Sequence, residues 1–350
     1  MDGLSVIICC YNSVSRLTTT LAHLKKQESP GAPWEILIID NASTDGTGEF
    51  ARSCWQNGPA PLRIIDEPRQ GVRYARERGF LEASYEFLGF VDDDNWLAHD
   101  WIRNAYDIIS SDSGLGAVGS IRDAACEVSS PAWFDDFHEP YAVLTERDLE
   151  QMTEPLQYLP TAGLCVRRTA WERLIQNGFR FQLTGTVGSK LQGGEDVELT
   201  MALRLSGWKL RIDRRLRLQH FMPSGRLEWR YLRKLQRNYS AARVPLDAYT
   251  EHSLSLGPGA RAWVSDSWCY QLGKSLRRIA SQPSVVVATL SSDGVGRNDI
   301  VGVENQFGRV LGLFRLRGRY GELRRQVRDA PWRRCAMTVA TDPVVEARRH

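Results

Sequence analysis

The sequence predicts an α/β protein built on a Rossmann-like, mostly parallel central sheet flanked by helices and followed by a basic, largely helical extension. Three observations predict it. Apolar runs of strand length alternate with helix-period segments over the first 120 residues, which calls for crossover connections and parallel pairing. Acidic residues fall at or near the carboxyl ends of those runs, the edge where open α/β sheets bind ligands. Beyond about Gly225 the alternation stops and arginine becomes frequent.

Each element follows from local chemistry. Leu4 to Cys10 is a continuous apolar run, as in a strand covered on both faces. Asn12 or Ser13 is placed to cap a helix running to about Gln27, with Leu17, Leu21 and Leu24 on one face. Glu35 to Ile39 is a second buried-type strand ending at Asp40; Thr44 to Trp55 reads as a helix and Leu62 to Ile65 as a short strand. A charged helix over Gly71 to Ser84 leads to a fourth strand, Phe87 to Val91, ending at Asp92. Trp101 to Ile109 is a helix and Gly116 to Ser120 a strand. Pro131, Pro140, Pro155 and Pro160 then break the pattern, so 121–160 reads as an excursion with one or two short helices. Order returns with a strand at Gly163 to Val166, a helix at Ala170 to Gln176, and a Gly-rich loop from Thr184 to Gly194. A helix runs from Glu195 to about Ser206, where Gly207 stops it, and Lys209 to Leu218 is a strand with His220 just after it. Residues 1–225 form the first domain and 226–350 the extension; 245–300 carry too little periodicity to assign.

Composition narrows the class. With 42% hydrophobic and 25% charged residues over 350 positions, the chain matches ordinary soluble globular proteins and is long enough for one large domain or two. No apolar stretch approaches the roughly 20 residues that span a bilayer, and no secretory signal is visible near Asp2. The expected location is the cytoplasm, either free or peripheral at the inner membrane face. The seven cysteines include no C-x-x-C, and read as small buried side chains in a reducing compartment, not as a zinc site or disulfide scaffold. The formal charge of +3 hides an asymmetry: nine arginines between 309 and 334 face only Glu322 and Asp329. Such a region either holds an anionic membrane surface, at about 1 kcal/mol per basic residue, or is solvated or paired with acids elsewhere in the fold. Nucleic acid is not expected, since no recognition module accompanies the charge.

Four motifs carry chemistry. The triplet Asp92, Asp93 and Asp94 ends an apolar strand, where three carboxylates repel unless something positive sits among them. Asp92 and Asp94 point the same way if the strand continues, and oxygen ligands of this kind suit Mn2+ or Mg2+; the alternative is an acidic turn at a helix N-terminus. Asp40 sits at the end of the second strand, placed to accept hydrogen bonds from a base or ribose, while Ser43, Thr44 and Asp45 would serve as helix caps. Glu195 and Asp196 follow Gly193-Gly194, where a carboxylate in a pocket acts as a general base and one outside a pocket is a first-turn acid. His220 is either structural or a third metal ligand.

Taken in order, Leu4 to Asn12, Ile36 to Thr47, Glu67 to Arg78, Phe90 to Trp96, Thr161 to Trp171, Gly194 to Trp208 and His220 resemble family 2 glycosyltransferases of the GT-A fold, closest to bacterial exopolysaccharide and glycan-assembly members. The resemblance covers about residues 3 to 230. It implies an inverting, metal-dependent enzyme that moves a sugar from a nucleotide-diphosphate sugar to an acceptor hydroxyl. It divides the first domain into a nucleotide-binding half, about 1–120, and an acceptor half, about 121–225. Tyr11 and Asn12 would line the nucleotide pocket, Asp40 would bind the base, and Asn41, Ser43 and Asp45 would shape that turn. Gly71 and Arg76 would sit near ribose and phosphates. Asp92 and Asp94 match the D-x-D pair, with Asp93 between them in the donor site and Asp94 the direct ligand of Mn2+ or Mg2+. Asp196 matches the catalytic base with Glu195 beside it, and His220 sits where some members place a metal or diphosphate contact. The partners implied are a nucleotide-sugar donor and a saccharide, lipid-linked or other acceptor. Cys9 and Cys10 stand where many members have a proline two residues before the Tyr-Asn pair, and the Q-x-x-R-W signature of processive members is absent, Arg226 and Trp229 bearing only a faint likeness to it. A nucleotidyltransferase would carry a Gly-rich loop where this chain has Tyr11-Asn12-Ser13, a dinucleotide oxidoreductase would carry G-x-G-x-x-G there, and a non-catalytic binding subunit would have no need of both Asp94 and Asp196.

Overall fold

A computed structural model describes residues 1–183, 193–250, 264, 266–290 and 294–333. The apolar runs become strands β1 (Leu4–Cys10), β2 (Trp34–Asp40), β3 (Leu62–Asp66) and β4 (Phe87–Asp92), joined by helices α1 (Val14–Lys25), α2 (Thr47–Cys54) and α3 (Val72–Glu82). Then follow β5 (Asn95–Leu97), α4 (Trp101–Ser111), β6 (Leu115–Cys126), 3-10 turns at Phe134–Asp136 and Glu139–Tyr141, and α5 (Glu146–Gln151). The first domain closes with β7 (Leu164–Arg167), α6 (Arg168–Gln176), α7 (Glu195–Leu205) and β8 (Lys209–Met222). Of the Gly-rich loop predicted over Thr184 to Gly194, residues 184–192 lie outside the described residues.

The strands form one sheet in the order β3-β2-β1-β4-β7-β6-β8-β5. The run from β3 to β4 is parallel, and so is the β6–β8 pair; β7 and β5 run antiparallel to their neighbours. Alternate residues of β1 divide between two cores. Leu4, Val6 and Ile8 join Leu17, Leu21 and Leu24 of α1 and Trp101 and Ile102 of α4, while Ile7 joins Phe80, Phe90, Trp171 and Leu199 on the other face. Gly79 permits that closeness, since a Cβ there would stand 2.6 Å from Ile7 Cγ2.

Three differences from the sequence reading have a plain structural cause. β5 is three residues long, too short to leave a periodic signal. β6 runs to Cys126 because β8 pairs with it over its whole length. β8 continues to Met222, so His220 lies inside a strand and not beyond one. The reason is a period of two: Leu216, Leu218, His220 and Met222 point inward while Arg215, Arg217 and Gln219 face water.

The extension holds α8 (Trp229–Ala242), a 3-10 segment Val244–Tyr249, α9 (Trp268–Ala280), α10 (Pro283–Ala288), α11 (Asn298–Leu316) and α12 (Tyr320–Arg328). It is not a detached tail: Tyr249, Leu323, Val327 and Trp332 pack into the core that contains Phe179 and Leu199. Among the described residues no helix is long and apolar enough to cross a membrane. The arginines meet acids inside the fold. Arg233 and Arg237 share the fully buried Glu304, Arg309 pairs with Asp247, and Arg324 and Arg328 share Asp266. These pairs follow the pairing alternative for part of the basic region, while Arg315, Arg317, Arg319 and Arg325 are exposed.

Candidate active site

The sheet order reverses between β1 and β4, whose carboxyl ends lie side by side with Cys9 opposite Asp92. Such a switch point leaves a crevice that no crossover covers. A cavity of about 460 Å³ opens there, lined by residues from two stretches of the chain: Tyr11, Asn41, Gly71, Arg76, Asp92 and Asp93 from one, and Thr161, Glu195 and Asp196 from the other.

The loops after β1 and β2 hold each other. Asn12, in the left-handed region at φ 49°, donates its N–H to Ser43 Oγ and accepts at Oδ1 from Thr44 N. Asp40 Oδ1 accepts from Ser43 N at 3.0 Å. Asp45 accepts from Val14 N and Thr47 N, tying α1 to α2. The Asn41 side chain is likewise engaged with backbone, donating to the carbonyls of Glu67 and Arg69 and accepting from Gly71 N at 2.7 Å. Asn41 therefore lines the cavity, while Asn12, Ser43 and Asp45 lie outside its lining and hold the loops together. Tyr11 makes no side-chain hydrogen bond among the described residues and lines the cavity directly; Asp40 lies at the same sheet edge, outside the cavity's lining.

The three consecutive aspartates have three different surroundings. Asp93 turns toward α1, where Ser13 Oγ donates to it and Arg16 forms a two-point pair, with Nη2 at 2.7 Å and Nε at 3.2 Å. Asp94 is buried, with His220 Nε2 3.4 Å from Oδ1 and Arg226 Nη1 3.2 Å from Oδ2. Burial alone would raise its carboxyl, but His220 and Arg226 hold it below the usual range. Asp92 has no ion pair and no hydrogen bond to its carboxylate among the described residues. Burial pushes it above the usual range, Arg76 opposes the rise, and Asp94 adds to it.

Across the cavity, Gly194 at φ 114° turns the chain into α7 and sets Glu195 and Asp196 in its first turn. Glu195 is buried and receives the guanidinium of Arg76, whose other nitrogen donates to Thr161 Oγ1 at 2.6 Å. Burial dominates and raises the Glu195 carboxyl, Arg76 working against it and Asp196 with it. Asp196 accepts only from backbone, from Thr161 N at 3.3 Å and its neighbour Val197 N at 2.8 Å. Its carboxylate also lines a second cavity, so it stands at the join of the two.

The first cavity's lining carries Asp92, Asp93, Glu195 and Asp196 against Arg16, Arg76 and Arg226, with Asp94 immediately behind. Asp93, Asp94 and Glu195 each have a guanidinium; Asp92 and Asp196 have none. His220 Nδ1 is buried without a partner. Among the described residues no group of three or more such side chains is preassembled as a metal cage. The residues fit a hard cation held by one or two carboxylates and completed by substrate oxygens, the usual habit of Mg2+.

Four residues of this site escape sequence reasoning as individuals: Arg16, Thr161, Arg226 and Ser13. Arg226 and Thr161 fall inside or beside segments that carry the family likeness, and Ser13 stood out only as a candidate cap. Arg16 leaves no signal, since one arginine on a helix is usually surface.

This sheet, with its acidic switch point and its helix-borne carboxylates, defines a GT-A-type protein. Residues 5–175, just under half of the chain, match the model described as "Glycosyl transferase family 2", and the chain is a distant homologue of glycosyltransferases of that family. Among curated relatives, it is 26% identical to the glycosyltransferase AglE of Haloferax volcanii, over 59% of this chain and 62% of that protein. It is 22% identical to a validoxylamine A glucosyltransferase of Streptomyces hygroscopicus, over 73% of this chain and 62% of that protein. The chain thus spans about three fifths of the curated relatives it matches. A mannosyltransferase from Pyrobaculum calidifontis, solved with GDP-Man and Mn2+, superposes with a TM-score of 0.58 at 17% identity, covering 89% of this chain and 86% of that one, and so shares the fold.

Proposed function

We propose that this chain is an inverting glycosyltransferase that moves a sugar from a nucleotide-diphosphate sugar to an acceptor hydroxyl, in polysaccharide or glycoconjugate assembly. The observation that carries the reading is the single cavity at the switch point, which brings Tyr11, Asp92 and Arg76 together with Glu195 and Asp196 from about a hundred residues further along the chain.

In this reading Tyr11, Asn41 and Gly71 receive the nucleoside, on loops held by Asn12, Ser43 and Asp45, with Asp40 at the neighbouring sheet edge. Asp92 and Asp94 hold Mn2+ or Mg2+, the kind of ion named with the Pyrobaculum mannosyltransferase, and His220 orients Asp94. When bound, the cation offsets charge on the diphosphate leaving group. Arg76 supplies a fixed positive charge beside the same groups. Asp196 takes the proton from the acceptor hydroxyl; its freedom from any guanidinium supports that role, because a base locked in an ion pair is a poor acceptor. Glu195 positions Arg76. The division into 1–225 and 226–350 belongs to the same proposal, with α12 and Trp332 bracing the first domain.

The test is a panel of UDP-, GDP- and dTDP-sugars read by thermal shift with and without Mn2+, followed by product analysis. The reading expects one base to stabilise the protein only when the metal is present. If none of the panel binds in either condition, the proposal fails.

A further inference from the structure

A second cavity, of about 470 Å³, adjoins the first and shares Ala142, Pro160, Gly193 and Asp196 with it. Its walls come from the stretch just before α5, from the segment between α5 and β7, from β8, and from α8 of the extension. Leu144, Leu156, Ile212, Leu235 and Tyr239 form them, all half-buried, with Met152 exposed at the edge. Half-buried apolar side chains around a concavity are an unsatisfied surface; a volume of this size suits a small molecule.

Eight polar side chains line it as well; Glu154 is exposed at the edge, Gln157 donates to the Pro155 carbonyl at 3.0 Å, and most of the others are occupied within the fold. Arg122 spends Nε on the Ala142 carbonyl at 2.6 Å and Nη1 on the Ser120 carbonyl at 2.7 Å. Glu139 accepts from Tyr158 OH at 3.1 Å. The Tyr158 and Tyr239 rings both lie on Arg243, 5.0 and 4.6 Å from its guanidinium carbon, which fixes them as walls. Asn238 makes no side-chain hydrogen bond among the described residues, and Asp196 stands at the join. A free saccharide presents hydroxyls all round and needs a partner for each one it loses to burial. This cavity offers a polar end and an apolar body.

Resting on the transferase reading, we infer that this cavity holds the acceptor, and that the acceptor is an alcohol whose body beside the reacting hydroxyl is apolar. The hydroxyl enters at Asp196 and the apolar body lies against Leu156, Leu235 and Tyr239. The bond that forms joins the acceptor oxygen to the anomeric carbon; the bond that breaks joins that carbon to the nucleoside diphosphate, which leaves with the electron pair. The hydroxyl proton passes to Asp196.

The test uses the full chain and two probes, 2-naphthylmethanol and maltose, titrated calorimetrically. The naphthyl alcohol is expected to bind and maltose not to. Leu235→Gln should weaken the naphthyl alcohol about tenfold, the factor that about 1.4 kcal/mol represents. Leu156→Gln, on a different segment, should do the same and covers the case in which the first variant does not fold. Binding of maltose in preference, failure of both probes, or indifference to both substitutions overturns the inference. Mn2+-dependent binding of UDP and GDP is scored separately on the parent and on Asp92→Asn. Loss of nucleotide binding by the parent would sink the transferase reading while leaving the cavity's preference measurable. Intact nucleotide binding with maltose preferred would sink this inference alone.

Discussion

Two regions of this molecule concentrate charge, and they treat it in opposite ways. In the extension each buried acid is matched: Glu304 has no exposed side-chain surface and receives Arg233 at 2.7 Å and Arg237 at 2.5 Å, Asp266 receives Arg324 and Arg328, and Asp247 receives Arg309. At the sheet's switch point Asp92 and Asp196 face the same cavity without a guanidinium, although Arg16, Arg76 and Arg226 stand close enough to serve Asp93, Glu195 and Asp94. A charge matched within the fold is structural, and a buried charge left unmatched costs stability that something else must justify. The matched arginines of the extension therefore say little about a membrane, while two carboxylates without a guanidinium point to a ligand.

Removing the unmatched acids should change chemistry and leave stability alone. Asp196→Asn should lower the single-turnover rate of sugar transfer by about a thousandfold, within the range for loss of a general base, while nucleotide binding stays within about threefold of the parent. A transfer rate near the parent's would remove Asp196 from the reaction. The matched acids should behave in reverse. Glu304→Ala strands two guanidiniums on a buried site and should cost about 3–5 kcal/mol in urea unfolding, with nucleotide affinity of the remaining folded protein unchanged. If Glu304→Ala were thermodynamically silent, the contrast between the regions would be lost. Asp92→Asn belongs with the first group and should be smaller: Mn2+-dependent nucleotide binding should weaken about 10- to 100-fold, or 1.4–2.8 kcal/mol, with a melting temperature no lower than the parent's.

The same contrast explains what could be read without coordinates. β1, β2 and β4 were legible because a strand buried on both faces is apolar throughout, and Asp40 and Asp92 stand out as the first charge after each run. Glu195 and Asp196 were legible by their place after Gly193-Gly194. Pairing was not. Nothing in Asp92-Asp93-Asp94 tells which carboxylate meets Arg16, because that arginine lies 77 positions away and the contact depends on how α1 crosses the sheet. His220 illustrates a subtler loss: an imidazole reads as a strand's end, yet it keeps the inward alternation of Leu216 and Leu218. The extension failed for a related reason, since its arginines find acids 58 to 71 positions away, at Asp247, Asp266 and Glu304.

Glu198 is a third kind of charge site and gives the finest probe. It lies on α7 with no exposed surface, and its carboxylate is met by neutral donors: Tyr249 OH at 2.6 Å, Gln182 N at 2.8 Å and Leu183 N at 3.0 Å. Burial pushes its carboxyl up to about 7 although those three hydrogen bonds favour the charged form. A carboxyl whose folded value lies above its unfolded one binds its proton more tightly in the native state. Its contribution to stability is therefore full below about 4.5, declines as pH rises through the interval to about 7, and is flat above. The decline should amount to about 1–3 kcal/mol between pH 5 and 8, and Glu198→Gln should abolish that part of the slope. Urea unfolding of parent and variant at both pH values gives the difference directly, and other groups that titrate in the interval cancel. Parallel pH profiles would mean that the tyrosine and the two amides hold Glu198 ionised after all. The joint between the sheet and the extension would then be a matched charge like those of the extension, matched by hydrogen bonds instead of arginine.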